Sequence, residues 1–436
     1  MPRRRWGIMP LLAVIYIVLL SPAYTQPPTR FAVIGDYGLA GQPELDVANL
    51  VKSWNPDFVL TLGDNNYELG AASTIDQNIG QYYHQFISPY LGAYGQGDSV
   101  SRFFPSLGNH DWIAAGAAPY LGYFSLPGNE RYYNVSRGPV EFFVVDSDTN
   151  EPDGSTALSA QGQWLQAALG SSSALWKLVL FHHPPYSSGT HHGSTARMQW
   201  PFQAWGATAV LSGHEHNYEK IIVGGFPYFV NGLGGRSLYT TFGTPVNGSQ
   251  IRYAGNYGAM LVEATMDSIR FRFITRTGTT IDSYTQYAPG YSTQQVSLEQ
   301  GWNMVSLPVR VADASVSALF PSVSSQLAYF FTGTAYEQAE ILHSGTGYWV
   351  KSDVPATISL FGETIHRDTI TVSADWNLVG CSNTVVPENI IPDPPDILSS
   401  GFFGYKGSYI AADTLRSGKA YWIKITQPGK LIIGKP

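Results

Sequence analysis

Seven residues in the first two hundred or so positions have the chemistry of metal ligands, and each follows a short apolar run. Arg30 to Ile34 leads to Gly35-Asp36, and Asp57 to Leu62 leads to Gly63-Asp64, with Tyr67 three residues on. Phe103 to Leu107 precedes Gly108-Asn109-His110-Asp111, Trp176 to Phe181 precedes His182-His183, and Ala207 to Leu211 leads to Gly213-His214-Glu215-His216. Carboxylate, amide, phenol and imidazole donors together suit Fe, Mn and Zn, and the lone Cys381 excludes a thiolate site. Two metal ions about 3.5 to 4 Å apart can hold the attacking and leaving oxygens of a phosphoryl transfer. Holding two like-charged ions that close requires a shared anion, and Asp64 is the natural bridge. A metal also lowers the pKa of its bound water, so the nucleophile needs no separate general base.

Taken singly these signals are weak: Gly-Asp after a strand is common, and a lone histidine is more often structural. Their repetition is what carries weight. An acid presented just after a strand sits on the rim of a sheet, where open α/β folds place ligands. The helical pattern from Pro43 to Trp54 between the first two strands makes a βαβ unit, which predicts Asp36 and Asp64 side by side at one sheet edge. Further helices are expected over Thr74 to Tyr94, over Ser159 to Leu169 with Trp164 and Leu165 inward, and around Met198 to Trp205. Glu141 to Val145 reads as another strand. From Ile221 to Tyr284 the pattern is alternating β segments with glycine turns, expected to complete the second sheet of a layered sandwich.

The motifs GDYG at 35–38, GDNNY at 63–67, GNHD at 108–111, LFHHPPY at 180–186 and GHEHNYE at 213–219 resemble the calcineurin-like metallophosphoesterase superfamily. Within it they are similar to the purple acid phosphatases, including the tartrate-resistant type, over Phe31 to Tyr284. The resemblance implies an α/β fold, the four-layer αββα sandwich, and hydrolysis of phosphate monoesters by attack of a metal-bound hydroxide. It implies that Asp36, Asp64, Tyr67 and His216 hold Fe(III), to which the Tyr67 phenolate is suited. Asp64, Asn109, His182 and His214 would then hold a divalent Fe, Zn or Mn ion. His110 resembles the outer-sphere histidine that contacts the phosphate, with Asp111 fixing its tautomer. His191 and His192 stand where the family keeps a histidine that contacts substrate or protonates the leaving oxygen, and which of the two does so is open. His183 stays outside the metal set. A phosphodiesterase or nucleotidase on the same centre is the alternative, since pocket shape sets the substrate.

The 436 residues suffice for two or three domains. With 44% hydrophobic and 13% charged residues, the composition suits a β-rich extracellular protein. The net charge of -7 argues against nucleic acid as a structural partner. Residues 1–25 read as a signal peptide: Arg3, Arg4 and Arg5, the apolar run Ile8 to Leu20, then Ser21 to Thr25. Cleavage there predicts a secreted, periplasmic or cell-surface protein, and an uncleaved anchor is the other reading.

The catalytic domain is expected over 27–287, with Gln286 to Gln295 as the joint. A smaller all-β module, 288–436, would follow. It contains two repeats, about 296–360 and 368–436, offset by about 73 residues. Gly301-Trp302-Asn303 returns as Asp375-Trp376-Asn377, and Tyr348-Trp349-Val350-Lys351 returns as Tyr421-Trp422-Ile423-Lys424. Trp302 and Trp376 read as core anchors of each repeat. The alternative is a surface or glycan-binding platform made with Trp349 and Trp422.

Overall fold

Strand β1 (Thr29–Ile34) is apolar from Phe31 onward because both of its faces are covered. Phe31 and Val33 enter one core, while Ala32 and Ile34 enter another. That alternation sets the layering. The structure is a computed structural model that describes residues 27–321, 323 and 327–434, so the signal-peptide segment lies outside the described residues. The described chain divides into two compact units, one of Pro28–Ser292 and one that runs from Thr293. No helix among the described residues is long and apolar enough to cross a membrane.

In the first unit, β1, helix α1 (Gln42–Ser53) and β2 (Phe58–Thr61) form the expected βαβ unit, with β2 parallel to β1 and β3 (Phe103–Phe104) parallel beyond it. Helix α2 (Asn109–Ile113) starts just after β3. Strands β4 (Tyr133–Arg137) and β5 (Val140–Val144), helix α3 (Ala160–Ser171), β6 (Trp176–Leu180), β7 (Ala209–Ser212), β8 (Tyr218–Val223), β9 (Phe226–Asn231) and β10 (Ser249–Tyr253) follow. The last strands are β11 (Gly258–Ala264), β12 (Ser268–Thr275) and β13 (Thr280–Tyr287). The sheets run β13-β12-β11-β1-β2-β3 and β10-β8-β9-β7-β6-β5-β4.

Phe31, Leu60, Phe142, Leu178 and Phe271 share the core between the two sheets. On the outer face of the first sheet, Val47, Ala48 and Val51 of α1 pack with Ala32 and Val59. On the outer face of the second, Leu165 and Leu169 of α3 pack with Phe143 and Val179. The layers are therefore α, β, β, α. Ser159 caps α3 by accepting from the Gly162 amide at 3.2 Å.

Four local expectations change. The β segments after Ile221 complete both sheets, because β11 pairs antiparallel with β1 while β8 to β10 join the other sheet. The stretch 74–94 is helical only from Asp76 to Phe86, in π, α and 3-10 turns; Pro89 disfavours the α conformation at Ser88. Around Met198 only the 3-10 turn Ala196–Met198 forms, cut short by Pro201. The stretch 286–295 is largely strand, the end of β13 and the start of the strand Tyr291–Leu298 around a short turn at Gly290.

The second unit holds two four-stranded sheets of matching order. One runs Gly301–Val305, Tyr348–Ser352, Ala328–Phe331, Tyr336–Ala339, and the other Asp375–Gly380, Ala420–Ile425, Phe403–Tyr405, Tyr409–Ala411. Trp302 lies opposite Lys351 and Trp376 opposite Lys424. Neither tryptophan is a core anchor: they are 45% and 38% exposed. Aliphatic residues such as Val305, Val350 and Leu360 in one half, and Val379, Ile423 and Leu431 in the other, fill the cores instead.

Candidate metal centre

Strands β1, β2, β6 and β7 stop within three residues of Asp36, Asp64, His182 and His214, so their loops empty onto the same edge of the sandwich. Asp36, Asp64 and His214 sit at φ of 55°, 55° and 70°, a left-handed conformation that Asp, Asn and His tolerate better than bulkier residues. It turns each side chain inward as the strand ends. Gly63 has φ 89°, and a Cβ there would lie 2.6 Å from His182 Nδ1. Only glycine lets β2 end against that imidazole.

All seven residues with ligand chemistry converge. The Tyr67 hydroxyl lies 2.8 Å from Asp64 Oδ2, 3.1 Å from Asp36 Oδ1 and 3.2 Å from His216 Nε2. His182 Nε2 lies 3.3 Å from Asp64 Oδ2, 3.0 Å from Asn109 Oδ1 and 3.0 Å from His214 Nδ1. The two groups share one atom, Asp64 Oδ2. Ligands bound to a single ion at about 2.1 Å lie about 3.0 to 3.4 Å apart, so these spacings match the edges of two coordination polyhedra that meet at Asp64.

The donor chemistry fits metal ions. His182 Nδ1 donates to the Leu62 carbonyl at 2.8 Å and His216 Nδ1 to the Ser237 carbonyl at 2.8 Å, which leaves each Nε2 with a lone pair facing the centre. Those lone pairs meet carboxylate and amide oxygens, and such an arrangement is stable only with a proton or cation among them. Burial by itself lowers the His182 pKa, but Asp64 and Asp36 outweigh it and push it up to about 10. The chain thus asks for positive charge at this point. Burial, then Asp36 and Asp64, raise Tyr67 well above an ordinary phenol, so only a strongly polarising ion would make it a phenolate.

Around this set the structure sorts the other sequence candidates. The His110 ring packs on Tyr67 at 4.4 Å, and its amide donates to Asp64 Oδ1 at 2.9 Å. Its Nδ1 donates to the Glu68 carbonyl at 2.6 Å, so Glu68, not Asp111, sets the tautomer. Asp111 faces away and accepts from the Gly108 amide at 2.9 Å and from Asn65 Nδ2 at 2.8 Å, which makes it a brace for the two ligand loops. Burial and the nearby Asp64 push its carboxyl up to about 7. His192 stacks on His214 at 3.9 Å, and His191 stacks on Tyr239 at 3.8 Å, which in turn stacks on His216 at 4.0 Å. Both histidines therefore stand over the centre, one above each group. His183 turns its Nδ1 to Ser147 Oγ at 2.9 Å and stays outside the ligand set.

Sequence reasoning missed four residues here. Glu215 is buried and accepts from the amides of His192 and Gly193 at 2.6 and 2.7 Å, anchoring the loop that carries the two histidines. Glu219 holds the same loop through the Ser188 amide at 2.7 Å. Their spacing inside GHEHNYE, with His214 and His216 aimed the other way, was the available signal. Tyr239 and Arg236 come from the loop after β9, and Arg236 lies 5.3 Å over the Tyr67 ring while pairing with Glu68 at 2.6 Å. Nothing local in the sequence marks either.

Residues 29–218 match the sequence profile of the family described as Calcineurin-like phosphoesterase. Purple acid phosphatase 3 of Arabidopsis thaliana is 28% identical over 235 residues, which cover 47% of this chain and 62% of that protein. This chain thus spans less than two thirds of that plant relative. Tartrate-resistant acid phosphatase type 5 of Mus musculus is 24% identical over 273 residues, covering 52% of this chain and 80% of that one. Among solved structures, purple acid phosphatase from yellow lupin (Lupinus luteus) seeds aligns with TM-score 0.49 and 18% identity over 61% of this chain and 54% of that one. The chain carries a calcineurin-like phosphoesterase domain, with purple and tartrate-resistant acid phosphatases among its relatives.

Proposed function

We propose that the unit Pro28–Ser292 is a two-metal phosphatase acting on small phosphate monoesters. The observation that carries this reading is the single atom Asp64 Oδ2 common to the Tyr67 and His182 groups. Asp36, Asp64, Tyr67 and His216 would hold Fe(III), and Asp64, Asn109, His182 and His214 a divalent Fe, Zn or Mn ion. When bound, such a pair polarises phosphoryl oxygens and activates water. Asp36, Asp64 and Tyr67 together bring three negative charges, which leave a trivalent and divalent pair positive enough to attract a phosphate.

The chain's own residues supply orientation and protons. His110, held by the Glu68 carbonyl through Nδ1, keeps Nε2 free to meet a phosphate oxygen. His191 and His192 are exposed at the mouth, where an imidazolium can protonate the departing alkoxide. Glu215 fixes their loop through two backbone amides, so their placement does not depend on substrate. The basic and apolar pattern of residues 3–25 supports export of the protein.

The test is phosphate release from an aryl monoester and an aryl diester between pH 4 and 9, with Asp64→Ala as control. Monoester turnover at acid pH that the control lacks supports the proposal. A preference for the diester moves the centre to phosphodiester chemistry, and no turnover of either substrate by metal-loaded protein sinks the reading.

A further inference from the structure

Two aromatic clefts in the second unit have no part in phosphate chemistry. One, about 430 Å³, is lined by Phe331, Trp376, Phe403, Tyr409 and Trp422. The other, about 410 Å³, is lined by Trp302, Tyr329, Tyr336, Trp349, Tyr405 and Tyr409. They are built alike. Trp302 meets Trp349 at 6.2 Å and 87°, and Trp376 meets Trp422 at 6.3 Å and 85°. Tyr329 lies opposite Trp349 in its sheet, as Phe403 lies opposite Trp422. Each cleft is closed by a ring from the other half: Tyr405 packs on Trp349 at 4.8 Å, and Phe331 on Trp422 at 5.0 Å.

Two features separate these clefts from ordinary core. Trp302, Trp376, Tyr336 and Tyr409 are 45%, 38%, 49% and 55% exposed, at matching positions of the two halves. Large aromatics held open in duplicate mark a contact surface. The indole N–H of Trp422 is buried and meets no acceptor in hydrogen-bonding geometry, while that of Trp349 faces the Tyr336 hydroxyl. Each cleft therefore has a wall of ring faces, and the first also holds an unpaired donor.

The lining also dictates the ligand. Neither cleft contains a charged or amide side chain, so an anion finds no partner in it. The side-chain polar groups available are indole N–H, which only donates, and tyrosine hydroxyls, so a fitting ligand offers an acceptor to the indole. In the first cleft only the Tyr409 hydroxyl can accept from the several hydroxyl donors of a sugar ring. A proline residue brings a compact apolar ring, a carbonyl acceptor and no N–H. Polyproline II segments are recognised in aromatic-lined grooves for this reason. Tyr409 lines both clefts, so one extended segment can pass from the first to the second. We propose that the paired clefts bind a proline-rich segment of a partner protein in the polyproline II conformation.

The experiment titrates the full chain into fluorescein-labelled decaproline and follows anisotropy, with a Gly-Ser peptide of equal length and cellohexaose as competitors. Saturable binding is expected that neither competitor displaces. Trp302→Ala or Trp376→Ala should weaken it at least tenfold, the double variant should abolish it, and melting temperatures read in parallel report that the variants are folded. Trp422→Phe keeps the wall and removes the N–H, and should weaken binding several-fold. The proposal is overturned by no saturable binding to wild type, by unchanged binding in the double variant, or by displacement with cellohexaose. Phosphate release has no bearing on these outcomes, so this inference and the phosphatase reading fail separately.

Discussion

The Tyr67 hydroxyl lies 2.8 Å from Asp64 Oδ2, and the same oxygen lies 3.3 Å from His182 Nε2. A carboxylate three residues before a phenol thus joins Tyr67 to His182, which follows it by 115 residues. A buried Tyr67 beside Asp36 and Asp64 ionises only against a strong Lewis acid. Iron-loaded protein should therefore show visible charge-transfer absorption that Tyr67→Phe removes while the fold persists. A colourless wild type that contains iron would falsify the ligand assignment.

Metal removal should destabilise the first unit. Ions that bind only the folded state add about 2.7 kcal/mol at a hundredfold excess over Kd. For a unit of this size that is worth several degrees, at about 2–4 °C per kcal/mol. A chelator titration followed by calorimetry should lower one melting transition and leave the transition of the second unit in place. Coincident, unchanged melting with and without chelator counts against a structural contribution from metal.

Gly63→Ala places a Cβ 2.6 Å from His182 Nδ1 at a residue with φ 89°. Both the clash and the left-handed backbone oppose alanine. The variant should lose metal and activity together, measured by elemental analysis of the purified protein. Full metal content in a folded Gly63→Ala variant contradicts the placement of His182.

His110 and Asp111 are neighbours with separable roles. His110→Ala should lower kcat by about a hundredfold, as expected for a group that handles protons or phosphate charge, with metal content retained. Asp111→Asn, which disturbs the brace on Gly108 and Asn65, should instead weaken metal retention by about 10- to 100-fold. Elemental analysis and kcat on the same preparations separate the two, and a metal-depleted His110→Ala would reverse the assignment.

Glu44, at the start of α1, is fully buried, and neither carboxyl oxygen has a hydrogen-bond partner. Burial raises its pKa well above an ordinary carboxyl. A raised folded pKa means that the stability it confers is complete below the unfolded value near 4.5 and is lost as pH rises through the folded pKa. The loss proceeds at no more than about 1.4 kcal/mol per pH unit. Glu44→Gln should flatten this slope, so the variant gains relative to wild type between pH 5 and 8. Parallel melting curves with no change in relative stability over that range would show that Glu44 stays charged.

Much of the first unit was legible. Asp36, Asp64, Asn109, His182 and His214 each follow an apolar run, and strand ends on one edge of a parallel sheet must lie together. Asp111 was misjudged, because adjacency in GNHD says nothing about which way a side chain leaves a helix start. Trp302 and Trp376 were misjudged because β-propensity rewards half-buried aromatics without saying which half of the ring stays wet.

By itself, the order of residues determined the ligand types, their delivery at strand ends and the alternation that layers the sandwich, since these depend on local periodicity and backbone preference. Only the tertiary structure decided that Glu68 orients His110, that Tyr239 lies between His191 and His216, and that rings of one half close the aromatic cleft of the other. Those contacts join residues whose spacing carries no period, so they exist only once the packed sheets bring distant loops within a few ångströms.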